Sequence, residues 1–185
     1  MSLLEDGTGT GIKAKVDLNN QLHTYSITES EQRQANDIGN EFNLNTGWIA
    51  FSTNSTTRTT IAYFKNDEDE PYVITALAVG LGTRSATVTD AASIYIVRNP
   101  TAGTTITNTN DMDMISNSNF GKNNTLKTTT LAYKGADGEG ATTGGTDHAL
   151  IAMTDGRLYA GLNLDLPRGA SVAIEIDGQT SGTFN

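Results

Sequence analysis

The sequence predicts an all-β chain: an antiparallel β-sandwich of jelly-roll type, led by an extended N-terminal arm and containing one short helix. Three observations carry this. At least seven apolar runs of strand length recur along the chain, Thr, Ser, Asn and Gly crowd the stretches between them, and only one helix-start signal is found. An immunoglobulin-like sandwich is the second choice, lacking its cysteine pair, and a meander with long inserts is the third. The 185 residues fit one domain that buries roughly 70% of its unfolded surface. The division expected is an arm over residues 1–27 and a sandwich domain over 28–185.

The arm, IKAKVDLNNQLHTYSIT, alternates and is basic. It cannot bury its own apolar residues, so Ile12, Val16, Leu18, Leu22 and Tyr25 form a candidate assembly surface that needs another sheet to cover it. Thr28 and Glu31 then make a capping box for one or two helical turns, which Gly39 ends. Trp48 to Phe51 begins the first strand and Thr59 to Phe64 is the second, followed by an acidic turn from Lys65 to Pro71. YVITALAV, residues Tyr72 to Val79, is apolar on both faces and reads as a central strand covered twice.

Ser93 to Val97 is another strand, stopped at Asn99-Pro100, where proline removes a donor. Thr101 to Lys122 reads as a long surface excursion with at most a helical turn near Asp111 to Ile115. Strand character resumes at Leu126 to Tyr133, and Gly135 to Gly145 is the most flexible segment by composition. Ala149 to Met153 and Arg157 to Leu166 flank Asp155-Gly156, the strongest hairpin signal in the chain. Leu166-Pro167-Arg168-Gly169 is a further turn before Ser171 to Ile176, where Val172, Ile174 and Ile176 alternate.

Composition narrows the function. Net charge is −9 and the basic residues form no stripe with interleaved aromatics, which argues against nucleic acid as a partner. With no cysteine there is no disulfide framework, thiol chemistry or cysteine-ligated zinc. MSLLEDGTG lacks a signal-peptide pattern and no apolar run approaches membrane-spanning length, so no membrane association is expected. Asn54-Ser55-Thr56 and Asn123-Asn124-Thr125, which match the glycosylation acceptor pattern, are then chance.

Each candidate chemistry has a plainer reading. Asp147-His148 suggests part of a hydrolytic triad, but no nucleophile elbow accompanies it. Asp67-Glu68-Asp69-Glu70 offers hard oxygens without the alternating spacing that wraps calcium, so a solvated turn is expected. Asp111-Met112-Asp113 and Asp137-Gly138-Glu139 are weak acidic signals, and Gly7 to Gly11 is a leader with no strand before it or helix after it. Trp48, with Phe51, Tyr63 and Phe64, could stack a sugar, although a lone Trp at a strand start reads better as a core anchor. No catalytic residue, metal site or cofactor is expected.

The segment AKVDLNNQLHTYSITESEQRQANDIGNEFNLNTG, with its Asn20-Gln21-Leu22 turn and Phe42-Asn43 step ahead of a Thr/Asn/Gly-rich sheet domain, resembles virion proteins of tailed bacteriophages. The match is specific over Lys13 to Gly47 and compositional afterwards. The resemblance implies a capsid decoration or cement protein, a jelly-roll homotrimer on the head lattice, with related chains in fibres or tails. It supplies no catalytic residue. The expectation is therefore a non-enzymatic structural protein located in the virion, assembled in the host cytoplasm and contacting itself and a major capsid or other virion protein. The alternative is a carbohydrate- or host-surface-binding sandwich of a fibre or tail.

Overall fold

A computed structural model describes residues 15–16, 22–23, 31–49, 58–80, 92–127, 130–136, 139–153 and 157–178. The elements run β1 (Lys15–Val16), β2 (Leu22–His23), α1 (Glu31–Ile38), β3 (Phe42–Asn45), β4 (Thr59–Lys65), β5 (Tyr72–Gly80), β6 (Ala92–Arg98), α2 (Thr104–Asn108), β7 (Met114–Asn117), β8 (Leu131–Lys134), β9 (Thr146–Met153), β10 (Arg157–Leu166) and β11 (Ser171–Gly178). The protein is mostly β, with antiparallel sheets and, among the described residues, two helices where one was expected.

The main sheet has five strands in the order β8-β4-β11-β6-β9, each antiparallel to its neighbours. Its centre is β11, buried on both faces because alternation sends Val172, Ile174 and Ile176 one way and Ala173 and Glu175 the other. The first set joins Phe64, Ile94, Ile96 and Met153 in the larger core cluster. The second face packs Tyr63, Val97 and Ala173 against Ile106 of α2. Burial of each Ile here contributes roughly 1.5–3 kcal/mol.

β5 and β10 form a separate antiparallel ribbon. It turns Ile74, Leu77, Val79, Leu158, Leu162 and Leu164 onto the larger cluster and leaves Val73, Ala76 and Ala78 exposed. Two expectations fall here. YVITALAV is not a doubly covered central strand, because its one described partner is β10; that role belongs to β11. Nor do the runs flanking Asp155-Gly156 pair with each other: β9 joins β6 in the main sheet while β10 joins β5. The alternating leucines of β10 gain more by covering the core cluster than a local hairpin would give them. The turn residues themselves, 154–156, lie outside the described residues.

The turn at Pro167 to Gly169 forms as expected, with the Ala170 N–H donating to Pro167 O at 2.9 Å. Asn66, fully buried, fastens it to the acidic turn. Its side-chain amide donates to Glu70 O and Leu166 O, both at 2.8 Å, and its Oδ1 accepts from the Glu68 N–H at 2.8 Å.

Gly39 ends α1 with φ +81°, and the bonds Asn40 N–H to Ala35 O and Gly39 N–H to Asn36 O make a Schellman motif. Carbonyls at this end also accept from the 101–122 excursion and its flank: Asn117 donates to Gly39 O, Asn119 to Asn36 O and Asn124 to Ile38 O. That excursion is therefore built, not loose. Its helix is α2 at Thr104–Asn108, whereas the helical turn expected near Asp111 to Ile115 gives way to β7, which pairs with β3. Thr28, the N-terminal half of the capping box, lies outside the described residues.

Candidate functional site

The most developed polar arrangement lies on the second face of the main sheet. Arg58 stands just before β4 and reaches over the central strands β11 and β6 to the edge strand β9. Its Nη1 and Nη2 donate to Oδ1 and Oδ2 of Asp147, each at 2.8 Å. On the way its guanidinium lies 3.4 Å from the centre of the Tyr95 ring and 3.8 Å from Glu175 Oε2. Register explains the placement, since Glu175 faces Tyr95 across β11 and β6, and Val97 faces Asp147 across β6 and β9.

Glu175 is only 1% exposed and is satisfied from the glycine-rich loop: the Thr142 N–H and hydroxyl donate to its Oε1 at 2.7 and 2.6 Å. The same loop is pinned elsewhere. Thr60 N–H donates to Gly140 O at 2.9 Å, and the Thr105 hydroxyl of α2 donates to Glu139 at 2.5 Å. Gly135 is required by space, because a Cβ there would sit 1.8 Å from the Thr60 carbonyl oxygen. Composition suggested the loosest segment of the chain; its described residues are instead the lid over a buried carboxylate.

The electrostatics follow. Hydrogen bonds from Arg58, then its positive charge, hold the Asp147 carboxyl below the usual carboxylate range. The same pair raises the Arg58 guanidinium further above its ordinary value. Both carboxylate oxygens of Asp147 are engaged by Arg58, and not by His148, its neighbour in the weak triad signal. The cluster is a strap tying four strands.

The acidic turn is similarly neutralised. Lys65 Nζ lies 2.7 Å from Asp67, Lys127 Nζ lies 3.1 Å from Glu68, and Arg168 bonds Asp69. Hydrogen bonding to these carboxylates raises both lysines above their ordinary values. Asp113 of the Asp111-Met112-Asp113 motif pairs with Lys134. Among the described residues no group of three or more acidic or histidine side chains is placed to hold a metal ion.

Large apolar side chains lie on the outside. Trp48 is 86% exposed, which corrects its reading as a core anchor, and Tyr159 is 78% exposed. Of the residues that could stack a sugar beside Trp48, Tyr63 and Phe64 are buried in opposite clusters and Phe51 lies outside the described residues. Trp48 and Tyr159 instead share the wall of a groove of about 1900 Å³ whose floor includes Phe64 and Ile174. Leu44 and Ile115, opposite each other across β3 and β7, are also exposed, as is Phe120.

Of the arm, Val16 and Leu22 face each other in the β1–β2 ladder, with Lys15 opposite His23, so the arm folds back on itself there. Ile12, Leu18 and Tyr25 lie outside the described residues. Arg58, Glu175 and Thr142 were not singled out from sequence. The one available signal was Glu175 itself, a carboxylate set between Ile174 and Ile176 in an otherwise apolar alternation. Compared with known proteins, the chain matches no family model, no curated protein and no solved structure.

Proposed function

We propose that this chain is a non-enzymatic structural protein of a tailed-bacteriophage virion, which decorates or cements the capsid as a homotrimer of jelly-roll-like sandwiches. The observation that carries the reading is the set of large apolar side chains left outside the core: Trp48, Leu150, Tyr159 and Phe120. Exposed aromatic and large aliphatic side chains are candidates for cover in an assembly. The polar side chains of the second face support it too, because Arg58, Asp147, Glu175 and Thr142 are spent on one another in a lock that stiffens the sheet.

The test is co-expression with the major capsid protein of the same phage genome, followed by sedimentation of the particles. Co-sedimentation that disappears when residues 1–25 are removed supports the reading; a chain left in the supernatant, or bound at full strength without the arm, overturns it. A second reading, a carbohydrate- or host-surface-binding module, is favoured by the exposed pair Trp48 and Tyr159 on one groove wall. Glycan binding would survive removal of the arm and be lost in Trp48→Ala.

A further inference from the structure

The two edges of the main sheet are treated differently by the fold. At one end β8 is four residues long, finishes in Lys134 and is closed on its outer side: Asp111 bridges Tyr133, and the Lys134 N–H donates to Asn110 O at 2.8 Å. At the other end β9 runs for eight residues, contains no Lys, Arg or Pro, and has no described strand beyond it. Its Leu150 is 60% exposed. β9 has a bulge at its start, where its register with β6 shifts between Ala149 and Asp147; beyond it, Ala149 to Met153 has no charge and no described cover, and such an edge invites another strand. The ribbon strand β5 differs, because it borders a groove that Leu44 of β3 and Trp48 also line.

We propose that the open edge of β9 is the seat of the N-terminal arm of a second copy, added as a strand; this rests on the assembly reading above and names the acceptor. Three features favour that occupant. Ile12 to Leu18 is seven residues, about 23 Å as a strand against about 26 Å for β9, so the lengths agree. Alternation gives the arm an apolar face of Ile12, Ala14, Val16 and Leu18 and an opposite face with Lys13 and Lys15.

The main sheet beside β9 is divided the same way. On one side Ile151 and Met153 meet the larger core cluster; on the other stand Asp147, Glu175 and Asp177, with Arg58 among them. A paired arm extends the apolar core with one face and brings two lysines to the acidic side with the other. Residues 12–25 carry a formal charge of +1, which leaves −10 on the remainder of the −9 chain. Passing an arm from each copy to the next also closes a ring, as a trimer requires, whereas direct β9-to-β9 pairing closes a dimer.

The absence of native cysteine makes the test clean. Single variants Lys13→Cys or Lys15→Cys are mixed with Leu150→Cys and oxidised, so that any disulfide joins two copies. A covalent pair linking the arm to position 150, with none to Tyr159→Cys on the ribbon, is the expected result. No arm link, or self-linking of Leu150→Cys alone, overturns the assignment. Leu150→Lys provides a second readout: it should stay folded by circular dichroism and shift from oligomer to monomer. An oligomer that needs its arm yet shows no link to β9 removes this inference and leaves the assembly reading standing, while a monomeric full-length chain removes both.

Discussion

Arg58 and Asp147, 89 residues apart in sequence, are joined by two parallel hydrogen bonds of 2.8 Å across the central strands of the main sheet. The pair itself is half-exposed, with side-chain accessibilities of 32% and 51%, so its own ionic contribution is modest. Its consequence lies underneath. Arg58 is the cation nearest the buried Glu175, and Arg58→Met leaves that carboxylate with the Thr142 donors and no counter-charge. The expected cost is about 2 kcal/mol, or a melting temperature lower by about 4–8 °C. Asp147→Asn should cost less, and Arg58→Lys should not restore the bidentate contact. Thermal melts of the three variants check the order.

Acid should remove the same contribution. Because the folded Asp147 carboxyl is held below its ordinary value, its stabilisation is fully present above the unfolded pKa of about 3.9 and is lost as pH falls through the lower folded value. The melting-temperature gap between the native chain and Asp147→Asn should therefore be constant from about pH 5 to 7 and shrink below about pH 4. A gap that widens in acid contradicts the assignment.

Asn66 is a second structural risk. Its side chain satisfies two carbonyls and one N–H at the corner between the acidic turn and Pro167 to Gly169. Asn66→Ala removes the partner of all three groups, of which Leu166 O is buried and the other two part-buried, at a cost of about 2 kcal/mol. Urea unfolding should show the loss as a lower midpoint with an unchanged slope.

Chelation should do nothing. The carboxylates of Asp67, Glu68 and Asp69 face Lys65, Lys127 and Arg168, which would have to be displaced before a divalent cation could be held. The melting temperature in a chelator is expected to equal that in buffer; a fall of several degrees means the turn holds an ion instead.

The strands were readable because alternation is local. Val172, Ile174 and Ile176 announce their face within five residues, and Gly39 announces the end of α1. Pairing is not local. Asp155-Gly156 has the composition of a tight hairpin, yet β9 and β10 diverge because each finds a better partner far away in sequence. YVITALAV looked central because small residues such as Ala76 and Ala78 count as apolar, although leaving them exposed costs little. The Arg58 strap was invisible for the same reason: Tyr95, Asp147 and Glu175, which Arg58 meets, and Thr142, which donates to Glu175, come from separate segments that only the fold unites. Glycine content misread the loop at 139–145, since composition records what can flex and not what is tied.

The central claim is assembly through the arm, and the measurement nearest to it is molar mass by light scattering at micromolar concentration, on the full chain and on a chain lacking residues 1–25. About three times 19.6 kDa is expected for the full chain, and a smaller species with unchanged β-type circular dichroism for the truncated one. A full chain of 19.6 kDa, or a truncated chain that keeps the same oligomer, contradicts it.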